Sequence, residues 1–221
     1  MRSLQRGEIE VAVVGGHDSM AHPMGMLSFV VLGALSETRC RPFDRNRDGF
    51  MLGEGSAVLI LESAKNARKR GKKPYARLCG AGSSIDAWNV TAPHPQGKGA
   101  ELSMLRALRN SHLRREDIGY INAHGTGTPL GDIAESAAIA RVFGSKVPVS
   151  SVKGSLGHCI AAAGAIEAVV CIAALHNEFL PGTQGLIEPD DLGIHVLKTA
   201  QPLAVRYTLS NSFGFGGQNS S

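Results

Sequence analysis

Three short stretches carry residues suited to chemistry. His124 ends an apolar run and is followed by Gly125, Thr126, Gly127 and Thr128, then Pro129 and Asp132. Lys153 and His158 bracket "KGSLGH" (153–158). "NSFGFGG" (211–217) sets Phe213 and Phe215 among three glycines. An imidazole is the side chain whose charge changes near neutral pH, and it gives or takes a hydrogen bond there. Glycines let a backbone N–H approach a reacting carbonyl and stabilise the charge that develops on it.

Each stretch has a plainer reading. A histidine at a strand end is often structural or exposed, Lys153 alone reads as a solvated lysine, and "GFGG" as an ordinary turn. Two histidines in similar Gly-flanked settings weigh toward a shared role. The spacing fits neither HExxH nor a Cys/His metal pattern, so no metal site is expected. "KNARKRGKK" (65–73) reads as a solvated basic face, or else as a docking patch for an acidic partner.

The elements that must hold these residues alternate. Strands are expected at 10–16, 56–63, 75–84, 118–124, 147–154, 193–200 and 205–212. Helices are expected at 24–36, 64–71, 99–111, 131–144 and 161–178, with 41–55 and 88–97 as loops. Strand 10–16 and helix 24–36 read as buried, and helix 161–178 as lying between layers. Such alternation specifies an α/β protein with helices on the sheet faces. The three chemical stretches follow three of these strands, so they can converge at the carboxyl edge of a sheet, where α/β proteins place ligands. The two very apolar helices call for more than three layers or for a covering partner.

Bulk properties narrow the function. The 221 residues are 43% hydrophobic and carry a net charge of +4, with 5% aromatic residues. That charge is too mild, and the stacking residues too few, for a nucleic-acid binder. No 18-residue uninterrupted apolar run is present, so no membrane span is expected. There is no signal-peptide core. Cys40, Cys79, Cys159 and Cys171 form no CxxC pair and read as reduced thiols of a cytoplasmic protein. Neither GxGxxG after the first strand nor GxxxxGK[ST] is found, which sets aside a nucleotide-binding α/β protein.

Taken together and in this order, "NAHGTGTPLGD", "VKGSLGHCIAAAGAIEA" and "NSFGFGG", with "RPFDRNRDGFMLGEGSAVLILE" upstream, resemble the β-ketoacyl-acyl carrier protein synthases over nearly the whole chain. The resemblance implies a thiolase-like layered α/β fold, of which this chain is the C-terminal half plus the end of the N-terminal half. Residues 1–74 would close the N-terminal half and 75–221 form the C-terminal half, with the family's last strand lacking. The implied reaction is a decarboxylative Claisen condensation on thioesters of acyl carrier protein, in fatty acid or polyketide synthesis, without a cofactor. It makes His124 and His158 the active-site histidines, Lys153 the buried lysine and Glu167 its charge partner. It gives Phe215 an oxyanion-hole N–H and a gating ring, and places Phe213, Thr91, Thr126 and Thr128 on the substrate. Asp132 becomes structural support.

The resemblance also places the nucleophilic cysteine upstream of Met1, so that none of the four cysteines corresponds to it. The implied partners are acyl carrier protein and a second synthase chain, either in a homodimer or supplying the other half. Three alternatives stay open: a condensing enzyme completed by another segment, a paralogue that binds a carrier protein or a synthase without chemistry, and a decarboxylase acting without an acyl-cysteine.

Overall fold

A parallel four-stranded sheet lies at the centre of residues 2–221, the residues that the computed structural model describes. In chain order the elements are α1 (Arg2–Gln5), β1 (Val11–Ser19), α2 (Pro23–Val31), β2 (Glu54–Glu62), α3 (Ala64–Lys69), β3 (Ser83–Ile85), α4 (Lys98–Ser111), β4 (Tyr120–Asn122), α5 (Pro129–Phe143), β5 (Pro148–Ser150), α6 (Lys153–Leu156) and α7 (Ala163–Asn177). Short strands follow: β6 (Phe179–Leu180), β7 (His195–Val196), β8 (Gln201–Pro202), β9 (Thr208–Ser210), β10 (Ser212–Gly214) and β11 (Gln218–Ser220).

The central order is β7-β5-β4-β9, all parallel. Every residue of β4 is buried, as a parallel strand covered on both faces must be. Successive side chains point to opposite faces. Ile121, with Val149 and Leu209, packs on Met104 and Ala107 of α4 and Ile139 and Val142 of α5. Tyr120 faces the other way, toward Cys171 and Ala174 of α7. Helix α7 touches β9 on one side and the antiparallel β1–β2 pair on the other. The layers therefore run α4/α5, central sheet, α7, β1–β2, which meets the expectation of more than three. A third sheet, β10-β11-β3, sits beside α4.

Several expected elements differ. The strand expected at 10–16 runs on to Ser19 and is not buried: its outer face is open, with Val13 73% exposed. Its inner face packs against α7. The helix expected at 24–36 ends at Val31, before Gly33 turns to φ +61°, and only Gly25 of it is buried. At 75–84 the chain is irregular until Ser83, because Gly80 and Gly82 press their backbone against α4. A Cβ on Gly82 would stand 2.1 Å from the Ser103 carbonyl oxygen. The strand expected at 147–154 stops at Ser150, and Lys153 opens α6. The strand expected at 193–200 shrinks to His195–Val196, and that at 205–212 splits into β9 and the start of β10. Residues 218–220, assigned no strand from sequence, pair with both β10 and β3.

Ile160–Asn177 has a mean hydropathy of 1.7 and is long and apolar enough to cross a membrane. Here it lies between two sheets and carries a buried glutamate, which suits a core helix. All four cysteines are free.

Ile139 is fully buried where α5 meets the central sheet. Replacing it by Ala should cost about 2–5 kcal/mol through lost transfer and the cavity left behind. Denaturant unfolding of the variant checks this.

Candidate active site

The parallel register brings the carboxyl ends of β5, β4 and β9 side by side. His124 lies two residues beyond β4, Lys153 three beyond β5, and Asn211 directly after β9. The exits are stitched together. Ala123 N–H donates to the Ser150 carbonyl at 2.9 Å, and Asn211 N–H to the Asn122 carbonyl at 2.9 Å. The convergence expected from sequence is therefore present, and it includes His158, carried back to this edge by α6 and Gly157 (φ +71°).

The His124 and His158 rings meet edge to face, with centroids 5.3 Å apart. Ile160 N–H donates to His158 Nδ1 at 3.2 Å. A ring nitrogen that accepts carries no proton, so neutral His158 holds its proton on Nε2. Ile160 reaches this pose with φ +41°, a conformation that a β-branched residue rarely takes. Burial, then the neighbouring Lys153 ammonium, pushes His158 down to about 3. The same causes, with His158 added, hold His124 well below 6.5. Both rings are neutral at pH 7.

Lys153 is 1% exposed and its Nζ donates to Glu167 Oε1. Burial pushes the Glu167 carboxyl up, and Lys153 opposes that. Glu167 Oε2, Asn122 Oδ1 and Asn211 Oδ1 are buried acceptors with no protein partner among the described residues. Asp132 ties two loops. One carboxylate oxygen accepts from Phe43 N–H at 2.7 Å, the other from Gly127 N–H at 3.1 Å. Burial raises Asp132 to about 7, and Glu135 adds to the rise.

Sequence reasoning missed Glu135. It is buried, and its carboxylate accepts from His124 N–H at 2.9 Å, Gly125 N–H at 2.8 Å and the Asn211 side-chain amide at 3.0 Å. It fixes the turn that aims His124. The only signal was its i,i+3 spacing from Asp132 on one helix, which reads equally as a solvated acidic face. Phe29 and Phe50 were missed as well. The Phe50 ring lies 5.1 Å from His158 and 5.5 Å from Phe29.

These groups line a pocket of about 700 Å³. His124 and His158 sit in it with Thr126 and Thr128, whose hydroxyls are 2.9 Å apart. Phe213 lies 5.8 Å from His124, and Phe215, 48% exposed, is 6.5 Å from Phe29. Thr91 also lines the pocket, with its N–H turned back to Asn89 Oδ1. Lys153, Glu167 and Asp132 stand behind the lining. The buried thiols lack the setting of a nucleophile, which needs a lowered pKa. Burial pushes Cys40 and Cys171 up to about 12, and Cys159 up as well.

A family model described as the β-ketoacyl synthase C-terminal domain matches residues 75–186, and one for the N-terminal domain matches 1–67. The chain belongs to the β-ketoacyl synthase family. It is 44% identical over its whole length to a mitochondrial 3-oxoacyl-acyl-carrier-protein synthase of Arabidopsis thaliana, of which it covers 51%. It matches a β-ketoacyl synthase from Burkholderia phymatum at TM-score 0.95 and 34% identity, covering 99% of this chain and 55% of that one. It matches a type II polyketide ketosynthase, solved in complex with its acyl-carrier protein and bound to a hexaketide, at TM-score 0.95 and 31% identity, covering 100% of this chain and 57% of that one. The fold is the thiolase-like α/β fold of these ketosynthases. The β-ketoacyl synthase chain spans about half the length of the curated relatives it matches.

An unfolded chain takes up protons on histidine near pH 6.5, whereas the folded one resists at His124 and His158. Stability from these rings is full above pH 6.5 and is lost as pH falls toward their folded values. A ring-proton NMR titration of the folded chain should show neither ring charging between about pH 8 and 5. A midpoint near 6.5 for either would contradict the burial.

Proposed function

We propose that this chain carries the decarboxylation and carbon–carbon bond-forming site of a 3-oxoacyl-acyl carrier protein synthase. The observation that carries the reading is the pair of neutral imidazoles, 5.3 Å apart, facing one pocket. A malonyl thioester on a carrier's phosphopantetheine threads past Thr126 and Thr128. Its carboxylate leaves as carbon dioxide, and the electron pair of the broken bond passes into the thioester carbonyl. The developing enolate oxygen accepts hydrogen bonds from imidazole N–H donors that are already in place. Such preorganised donors act where water is excluded. Neutral rings suit this role, because they donate without protonating the enolate.

The enolate carbon then attacks a second acyl thioester, releasing its thiolate. None of the buried thiols suits that acyl-carrying role, so the reading assigns it to a cysteine outside this set. Phe215 is assigned to gate the acyl pocket and Phe213 to wall it beside His124. The reaction takes no cofactor of the protein's own. Acyl carrier protein is the proposed partner, and the basic stretch 65–73 is a face of the right charge for an acidic carrier. A second synthase chain is the other proposed partner.

His124→Ala and His158→Ala should each lower carbon dioxide release from malonyl carrier protein by about 10²–10³-fold. Release unchanged in both variants would overturn the reading.

A further inference from the structure

His124 and His158 sit on separate loops that are joined at their base, where Ala123 N–H donates to the Ser150 carbonyl at 2.9 Å and the Ser151 hydroxyl to the Gly125 carbonyl at 2.6 Å. One continuous stretch, Phe43–Gly53, grips both. At its start, Phe43 N–H donates to Asp132, and the Phe43 ring fills the space beside Gly125, where an added Cβ would meet it at 2.9 Å. In its middle, Gly49 N–H donates to the Gly127 carbonyl at 2.9 Å. At its end, His158 N–H donates to the Met51 carbonyl at 2.7 Å, and Gly53 N–H to the His158 carbonyl at 3.1 Å. The Phe50 ring packs on the His158 imidazole.

We propose that Phe43–Gly53 is a positioning strap that sets the spacing of the two histidines, and that Arg47 is the positioning residue that buckles it down. The Arg47 side chain is 4% exposed. Nη1 donates to the Asp44 carbonyl at 2.8 Å and to Asp190 Oδ2 at 2.7 Å. Nη2 reaches the Pro129 carbonyl at 3.4 Å, and Nε lies 3.8 Å from Asp132. One guanidinium thus joins the strap, the first turn of α5 and the 183–190 segment. Asp44 backs it up, accepting from Ile187 and Glu188 N–H at 2.7 and 2.8 Å. Phe43 is held at φ +62°, a left-handed pose that a bulky residue keeps only when its surroundings enforce it. The enforcing contacts are those of Asp132 and of Asp190, whose N–H donates to the Phe43 carbonyl at 3.0 Å.

The inference rests on the proposed decarboxylation, but part of its test does not. In the full chain, Arg47→Met should move the ring NMR signals of both His124 and His158, although Arg47 touches neither ring. Arg47→Lys should restore them only in part, because an ammonium lacks the planar fork. In the decarboxylation assay, Arg47→Met should lower kcat by about tenfold to a hundredfold. Its KM should change by less than about threefold, since the loss lies in transition-state geometry rather than in binding. Asp190→Asn, at a part-exposed partner, should shift the same signals in the same direction by less, and it serves if Arg47→Met does not fold. Ring signals and kcat unchanged in either folded variant would overturn the strap. A wild-type chain that released no carbon dioxide would count against the proposed function instead. The strap would then stand or fall on the ring signals alone.

Discussion

The Lys153–Glu167 ion pair is the constraint on which the site depends. Lys153 leaves the end of β5, and Glu167 projects from α7, the helix between two sheets. Their pairing fastens that helix to the edge where the loops converge. It also puts a positive charge beside both imidazoles, and this opposes a second positive charge on either ring. Breaking one side of such a buried pair strands the other, which is far costlier than never having had it. The pair is therefore both a fastening and the electrostatic setting of the histidines.

Around it the protein buries more acid than a core alone would ask for. Asp132, Glu135 and Glu167 are each at most 2% exposed. Each carboxylate has its own partners. Asp132 holds Phe43 and Gly127, Glu135 holds the amides of His124 and Gly125, and Glu167 holds Lys153. Burying these groups is costly, and the return is a set of turns whose amides are tied to buried acceptors. Positive-φ positions at Phe43, Gly125 and Gly127 are held by these contacts, and that at Ile160 by its bond to the His158 ring. Strain and buried charge gather where donors must already point the right way before a substrate arrives.

Much of this was legible from sequence. The alternation of strands and helices led to the α/β class, and the Gly-flanked histidines after strands led to the converging edge. Burial was harder to read. The 24–36 segment is as apolar as a core helix, yet its surface is open, because hydrophobicity states a preference and not which neighbour meets it. The strand expected at 147–154 failed for a local reason: after Ser150 the chain must turn so that Lys153 enters the interior, and β propensity carries no trace of that. Glu135 was hidden because an acid on a helix is ordinarily solvated. Arg47 and Phe43 were hidden because their partners lie some 80 to 140 residues further on. No window along the chain contains both ends of such a contact.

The hydrogen bond from Ile160 to His158 Nδ1 limits what that histidine can be. A ring that relays protons needs two working nitrogens, one to receive and one to pass on. Here one nitrogen is occupied by a backbone amide that cannot give up its hydrogen, held by a residue in a pose it would not choose alone. The ring is left with a single active end. It behaves as a fixed dipole and not as a wire, able to steady charge but with no outlet through which to lead a proton away.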